Sequence, residues 1–271
     1  MIRHRHDDEF FLFTQHDHAL LSAKMAERIS GAVIARPAAQ TVRGTSLHDC
    51  GWPLHDDSPT VNGSGEPLHL FETPPRIATR VWAESARIAA DQDAYSGLLV
   101  SIHVLHLSVL SLAAHKSPHD VFELNKFQHR QVELQEQLRL RLGLRIDMPL
   151  EHGLACLGTS PAEDDLLFDY RLLRAMDQLS LALLCCEDLF GIVDGTCPRP
   201  GTMPIRMHIH RPAEFAANLD PWPFDSDALE FDVPFRRVPV RTFADDEEFR
   251  GIYGAASVEQ VMVRMARASR P

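Results

Sequence analysis

His48 and Asp49 form an adjacent pair at the predicted end of a helix, where an imidazole nitrogen and a carboxylate oxygen can bind the same cation. These donors suit iron, manganese, zinc or magnesium. The same dipeptide recurs at positions 55–56 and 119–120. What distinguishes this pair is Gly51, which is expected to end the helix and turn the chain. The alternative is a helix cap, in which Asp49 only satisfies backbone donors.

His18 and His103 are two further imidazoles that could reach the same cation. His18 stands at the predicted start of a helix, where N-terminal capping or a surface position is the alternative. His103 lies three residues before His106 in an otherwise apolar helix, so the two side chains share one face. The alternative for His103 is a core histidine that is satisfied by hydrogen bonds within the protein.

Asp177 is a carboxylate placed one turn before a nearly continuous apolar run. A buried carboxylate needs a cation or several hydrogen bonds, because an isolated one costs many kcal/mol. A salt bridge with Arg171 or Arg174 is the alternative to a metal. The sequence therefore predicts a divalent-metal site, with one or two ions, built by residues from four helices: His18, His48, Asp49, His103 and Asp177.

Several other residues are candidates for substrate binding or catalysis. Guanidinium groups can grip a phosphate through two parallel hydrogen bonds, although ion pairs on helix surfaces also explain the arginines. Trp52 and the loop after it could close over the site. Asp49 and Asp57 are the candidate catalytic carboxylates, and Asp57 could instead cap a turn. The predicted substrate-binding residues are Gln15, Trp52, Arg130, Arg171 and Arg174.

The composition narrows the class of partner. The formal net charge of -11 at pH 7 predicts a surface that repels duplex DNA and anionic membranes, whereas a small phosphorylated ligand stays compatible with it. Five cysteines without a C-x-x-C pair, and no apolar segment typical of a signal peptide, favour a reducing cytoplasm. We expect a small phosphorylated substrate, no long nucleic acid and no membrane, with a homodimer left open.

The hydrophobic periodicity predicts the elements that carry these residues. A β-hairpin is expected over residues 1–14, and a Pro- and Gly-rich loop over 53–75. The predicted helices are 17–29, 76–92, 96–114, 119–143 and 164–190. Strands are expected at 204–210 and 229–243, and residues 256–267 could be a strand or a helix. The predicted fold is mainly α, a helical bundle over 1–195 including the hairpin, followed by an α+β appendage over 196–271. The small sheet would join the hairpin to the C-terminal strands.

Four motifs carry a family resemblance over nearly the whole chain: Thr14-Gln15-x-Asp17-His18, His48-Asp49-x-Gly51-Trp52, Leu98-Leu99-Val100-Ser101-x-His103 and Asp177-x-Leu179-Ser180-Leu181. With them the chain resembles an uncharacterised bacterial family, a domain of unknown function of about this length. More distantly, the ligand order is similar to that of the HD-domain superfamily of helical metal-dependent phosphohydrolases and its diiron oxygenase branch. That resemblance implies an HD-like bundle whose metal is bound by His18, His48, Asp49 and Asp177, with His103 completing a second metal position.

Three functions are compatible with these residues. The leading hypothesis is a metal-dependent hydrolase of a small phosphoester or nucleotide, in which the metal activates a water molecule. The second is a diiron oxygenase of a small substrate that uses the same ligands. The third is a non-catalytic binding module built on a degenerate HD fold.

Overall fold

The computed structural model describes residues 1–115, 117–144, 161–185 and 191–268. Within these ranges the helices are α1 (Gln15–Glu27), α2 (Ala39–Leu47), α3 (Pro53–Asp56), α4 (Pro75–Gln92), α5 (Ala94–Ala114), α6 (Pro118–Leu142), α7 (Pro161–Leu184) and α8 (Asp246–Ala255). The strands are β1 (Ile2–His6), β2 (Glu9–Phe13), β3 (Ile192–Thr196), β4 (Ile205–Ala213), β5 (Ala216–Asp220), β6 (Ala228–Pro239) and β7 (Val258–Arg267).

All of these strands form one sheet in the order β1-β2-β6-β7-β5-β4-β3. Neighbouring strands are antiparallel except β5 and β7, which pair in parallel. The N-terminal hairpin therefore extends the C-terminal strands through the pairing of β2 with β6. Residues from the two ends of the chain build a single layer.

Strand β2 explains why this sheet has a core on both faces. Its apolar run does not alternate with polar residues, as expected for a strand that is covered on both sides. Phe11 and Phe13 face the core that the sheet shares with α1 and α7. Phe10 and Leu12 face the opposite way and pack with residues of α8 and the chain before it.

Except for α8, the larger helices form successive layers on the face of the sheet that Phe11 and Phe13 line. Helices α1 and α7 pack against each other and against the strands, and α2 packs on both of them and on α5. Helices α4, α5 and α6 pack together farther out, where their apolar faces form a separate cluster. Helix α5 thus lies between α2, α4, α6 and α7.

Helix α5 is long and apolar enough to cross a membrane by composition alone, with a mean hydropathy of 1.9 in its most apolar window. In the structure it is a packed helix of the interior, and its buried residues include Ser96, Ser101 and His103. The Ser101 hydroxyl donates to Gln131 Oε1 at 2.8 Å and accepts from Gln135 Nε2 at 3.1 Å, which ties α5 to α6. The apolar helix that was predicted over 96–114 is therefore part of the protein interior.

The predicted fold class is wrong. The protein is about 51% helical with a seven-stranded mixed, curled sheet, and is therefore an α/β fold instead of a mainly α bundle with a small appendage. The hairpin, the strands around 204–210 and 229–243 and the four helices that end before residue 144 are present close to their predicted positions. The sequence interpretation missed β3, β5 and α8, and residues 186–190 of the predicted fifth helix lie outside the described residues.

Candidate metal centre

The five predicted ligands come together in the interior, between α1, α5, α7 and the turn after α2. Two overlapping groups have ligand atoms that all lie within 4.8 Å of one another: His18 with His48 and Asp49, and His48 with His103 and Asp177. All five side chains are buried. The helices that carry them pack directly against their neighbours, so packing alone brings the residues into one cluster.

His18 is positioned by the start of α1 and by a serine on α7. Thr14, and not His18, caps the helix: its hydroxyl oxygen accepts from the Asp17 backbone N–H at 3.0 Å. The His18 Nδ1 atom hydrogen-bonds the Ser180 hydroxyl, and that hydroxyl donates to the Asp177 carbonyl at 2.9 Å. Since the Ser180 proton is used in this way, we assign the proton of the imidazole to Nδ1. The lone pair of His18 Nε2 then points into the cluster.

His48 is oriented by its own helix. It is the last residue of the α2 turn, and its Nδ1 atom lies 2.7 Å from the carbonyl oxygen of Thr45. A carbonyl only accepts, so Nδ1 carries a proton and Nε2 of the neutral ring presents a lone pair. This Nε2 lies 3.2 Å from Nε2 of His18. Two lone pairs that face each other at this distance repel unless a proton or a metal cation lies between them.

The two carboxylates complete the cluster. Asp49 Oδ1 accepts from the indole N–H of Trp52 at 3.0 Å, and Oδ2 lies 3.6 Å from His48 Nε2 and 3.8 Å from His18 Nε2. Asp177 Oδ1 lies 3.0 Å from His18 Nε2 and 3.7 Å from His48 Nε2. Its other oxygen, Oδ2, lies 3.8 Å from Nε2 of His103. Asp177 is therefore partnered by imidazoles and not by an arginine.

Gly51 allows the turn after His48-Asp49 to touch α4, and this differs from its predicted role as a helix terminator. A Cβ atom at this position would lie 2.2 Å from the Val81 carbonyl oxygen and 2.5 Å from the Ser85 backbone nitrogen. The Gly51 N–H donates to the Ser85 hydroxyl at 2.9 Å. The glycine is required by close contact between backbones.

These distances fit a divalent cation bound by the cluster. Two nitrogens that each lie about 2.1 Å from one ion are about 3.0 to 3.4 Å apart in octahedral or tetrahedral geometry. The 3.2 Å separation of the two Nε2 atoms falls in this range. Each Nδ1 donates its proton on the side away from the cluster, as in most metal-binding histidines. The donor set of imidazole and carboxylate suits iron, manganese or zinc.

The electrostatics of the cluster point to the same conclusion. Burial disfavours a charged His48, yet the carboxylates of Asp49 and Asp177 outweigh it and raise the pKa of this imidazole to about 9. Burial raises the pKa of Asp49 against the opposing charges of the imidazoles. Asp177 has its pKa held well below the usual range: burial opposes this, but the rings of His18 and His48 dominate. The site thus favours a positive charge between two buried carboxylates.

His103 lies between the cluster and a cavity. Its Nδ1 atom is buried without a hydrogen-bond partner among the described residues. Burial lowers the pKa of His103 to about 3, so the ring is neutral near pH 7. Its side chain can therefore complete the coordination of a cation or interact with a molecule in the cavity.

The cavity has a volume of about 260 Å³ and opens beside the cluster. Four cluster residues form its polar end: His18, Asp49, His103 and Asp177. Its walls are mainly apolar and aromatic and come from α4, α5, α7 and the segment before α4: Trp52, Leu70, Phe71, Ala78, Trp82, Leu107, Leu110, Ala114 and Leu181. None of the described residues that line it is a lysine or an arginine.

Of the other predicted site residues, Gln15 and Trp52 line this cavity. Asp57 is exposed at the end of α3, whereas Asp56 beside it is buried and pairs with the Met1 amino group at 3.0 Å. The predicted arginines are not part of the lining. Arg130 is exposed on α6, and Arg171 donates to Cys197 Sγ at 2.8 Å. Arg174 lies near enough to Tyr170 and His103 for its charge to lower the pKa of both.

Three residues that hold a ligand or shape the cavity had no predicted role: Ser180, Trp82 and Leu107. Ser180 lies three positions after Asp177, so helical spacing places both on one face and could have identified it. Trp82 and Leu107 line the cavity, but nothing in their local sequence separates them from ordinary core residues. A separate group, His4, His6 and Glu214, also has ligand atoms within 4.8 Å of one another, although His6 is partly exposed and Glu214 is exposed.

The fold and the cluster define an α/β protein with buried histidine and aspartate side chains that could hold a metal ion. Residues 1–240 match the family described as "Protein of unknown function (DUF3891)". The match covers most of the chain, and the chain belongs to this family. Searches of curated proteins and of solved structures gave no match.

Proposed function

We propose that this protein is a metal-dependent hydrolase of a small phosphoester. The observation that carries the proposal is the pair of Nε2 atoms of His18 and His48, which face each other at 3.2 Å while both Nδ1 protons are used elsewhere. Asp49 and Asp177 supply the negative charge that retains a divalent ion, and His103 adds a further nitrogen on the cavity side. The order of these ligands along the chain resembles that of the HD-domain phosphohydrolases, and this resemblance in sequence is the reason for favouring a phosphoester as the substrate.

The reaction uses the cluster and the cavity together. His18, His48, Asp49 and Asp177 would hold a divalent ion, which would supply an activated water and polarise the phosphoryl oxygen. Trp52 holds Asp49 in place through its indole N–H, so the carboxylate keeps one oxygen toward the cluster. His103 presents a neutral imidazole to the cavity, and its Nδ1 atom, which has no partner among the described residues, can hydrogen-bond a substrate group there. The apolar walls exclude bulk water, which strengthens these electrostatic interactions.

The lining favours a substrate with one phosphate over a polyphosphate. A phosphate group is usually met by arginine, lysine or a metal ion. Among the described residues the cavity has no basic side chain other than histidine, so the positive charge would come from the bound ion. The predicted phosphate contacts of Arg130, Arg171 and Arg174 are therefore not part of the proposal.

Metal analysis combined with an activity screen tests the proposal. Protein purified without chelator should contain about one equivalent of transition metal, and it should release phosphate from some members of a panel of small phosphomonoesters. His48→Ala should lose the metal and the activity together, whereas His129→Ala, which changes an exposed imidazole on α6, should keep both. His6→Ala corrects the metal count for ions held by the separate surface group. A wild-type protein that binds metal but hydrolyses nothing in the panel would contradict the hydrolase assignment.

A second function is favoured by the two oxygens of Asp177. Oδ1 faces His18 and His48, whereas Oδ2 faces His103, so one carboxylate could bridge two ions. Such an arrangement would suit a diiron oxygenase of a small substrate. Iron content near two per chain, together with consumption of O₂ in the presence of reductant, would favour this function over hydrolysis.

A further inference from the structure

The cavity follows one face of helix α5 away from the metal cluster. His103, Leu107, Leu110 and Ala114 line it at spacings of three and four residues, which places them in one row along the helix. With a rise of 1.5 Å per residue, the backbone positions from His103 to Ala114 span about 16 Å. The cavity is therefore elongated, with the cluster at one end.

The walls along this row offer hydrophobic contact and few hydrogen bonds. Trp52, together with Ala78 and Trp82 of α4, contributes further apolar and aromatic surface to the lining. Two of the lining residues, Leu110 and Phe71, are also exposed to solvent, by 56% and 48%. Exposed apolar side chains that continue into an apolar cavity are typical of the entrance to a ligand site.

The four cluster residues and Gln15 form the polar inner end, whereas Ser111 and His115 line the cavity at the outer end, beside Ala114. Gln15 lies one turn before His18 on α1 and lines the cavity, and its side-chain oxygen is buried without a hydrogen-bond partner among the described residues. A buried acceptor without a partner costs about 1–3 kcal/mol. A hydroxyl group of a ligand bound near the cluster, including the P–OH of a singly protonated phosphate or phosphonate, would donate to it.

We infer that the ligand of this site is an amphiphile: its polar head binds at the metal cluster beside Gln15, and its apolar tail lies along α5 between Leu107 and the two tryptophans. Together with the proposed function, which supplies the identity of the head group, this assigns the substrate class as a phosphomonoester of an apolar alcohol. The tail-binding part depends only on the cavity.

A series of n-alkylphosphonates, from methyl to octyl, tests the assignment on the Mn²⁺-loaded protein. These compounds resemble a phosphomonoester but are not hydrolysed, and Trp52 and Trp82 fluorescence can report binding. Burying a methylene group in an apolar site strengthens binding by up to about fourfold. We expect a gain of about two- to fourfold for each added methylene until the tail reaches Ala114 at the entrance.

Two neighbouring alanines near the end of α5 provide a matched pair of variants. Ala114 and Ala113 are both exposed, but only Ala114 lines the cavity. Ala114→Trp should weaken binding of octylphosphonate about tenfold or more and leave methylphosphonate unchanged, because the added ring occupies space for roughly two methylene groups. Ala113→Trp should change neither. Equal effects of the two variants would overturn the inference.

The same series separates this inference from the proposed function. Equal affinity for methyl- and octylphosphonate, both dependent on Mn²⁺, would overturn the amphiphile and leave the metal centre intact. The binding of linear 1-alkanols to chelator-treated protein measures the affinity of the cavity for an apolar tail when no ion is bound. This affinity should also increase with chain length. An increase with chain length for the alkanols, but no effect of Mn²⁺ on any phosphonate, would support the apolar tail site and contradict the proposed hydrolase.

Discussion

Ser180 holds the His18 ring through a hydrogen bond between its hydroxyl and Nδ1, across 162 positions of sequence. The same hydroxyl donates to the Asp177 carbonyl one turn earlier on α7. One serine thus connects the two ligands whose atoms approach most closely, since His18 Nε2 and Asp177 Oδ1 are 3.0 Å apart. This contact sets the tautomer of His18 and the angle of its ring.

Replacing Ser180 by alanine should weaken metal binding by about 10- to 100-fold, the usual cost of losing a partner of a metal-bound histidine. The expected cause is a His18 ring that is free to rotate and to carry its proton on Nε2. Competition with a chromophoric chelator measures the affinity. Ser108→Ala is the control, since Ser108 is also buried and also donates to a carbonyl three residues earlier. If both variants lose affinity equally, the contact of Ser180 with His18 has no role in metal binding.

Asp177→Asn should abolish the stabilisation that a bound ion provides. An ion at a thousand times its Kd stabilises the folded protein by about 4 kcal/mol. Denaturant unfolding with Mn²⁺ and with chelator should show this difference for the wild type and for Asp165→Asn, which changes an exposed carboxylate on the same helix. In Asp177→Asn the two curves should coincide. A metal-dependent difference that persists in the variant would show that this carboxylate is not a ligand.

Gly51→Ala should destabilise the protein by roughly 3 kcal/mol, because the new Cβ must displace backbone atoms of α4 that cannot move without repacking. Chemical denaturation measures the change. Gly251→Ala in α8 is the matched control: no atom lies within 4 Å of the added Cβ, and alanine should stabilise this exposed helix by up to about 1 kcal/mol. A stable Gly51→Ala protein would mean that the turn can move away from α4, and metal affinity would then show whether His48 and Asp49 moved with it.

The metal ligands could be predicted from the sequence better than the residues that surround them. His48-Asp49, His103 and Asp177 could be selected because polar groups in apolar or helix-terminal sequence need partners, and the structure places them together. The arginines were selected by charge alone, and charge does not reveal which face of a helix meets a cavity. The cavity walls could not be identified, because Trp82 and Leu107 face it only as a result of how α4 and α5 pack.

The helices were predictable and the sheet was not, for a physical reason. Helical periodicity is local, whereas a strand is stabilised by partners that are distant in sequence. The strands β3 and β5 contain Asp194, Gly195, Asn218 and Asp220, residues that usually favour turns. The segment 256–267 could have been a strand or a helix by its pattern, and it becomes β7 because β6 and β5 lie on either side of it.

His69 provides a test of the structure outside the metal cluster. The Nδ1 atom of His69 accepts a hydrogen bond from the Arg3 backbone N–H at 3.0 Å. Because Nδ1 must be unprotonated to accept, folding favours the neutral form of this imidazole. Burial, helped by the positive charges of the Met1 amino group and Arg3, lowers the pKa of His69 to about 4, and the charge of Glu72 opposes this shift. The unfolded chain has a histidine pKa of about 6.5.

The unfolded state therefore binds more protons at this position between pH 6.5 and 4. The stabilisation from His69 should be complete above pH 6.5 and should be lost as the pH falls through 4, by roughly 3 kcal/mol in total. His69→Asn should remove this contribution. As the pH falls from 6.5 to 4, the wild type should therefore lose roughly 3 kcal/mol more unfolding free energy than the variant does. Denaturant unfolding at several pH values measures it, with His129→Asn as an exposed control. Parallel pH profiles for the wild type and His69→Asn would show that the ring is not buried in its neutral form, and would contradict the packing of the hairpin against the segment before α4.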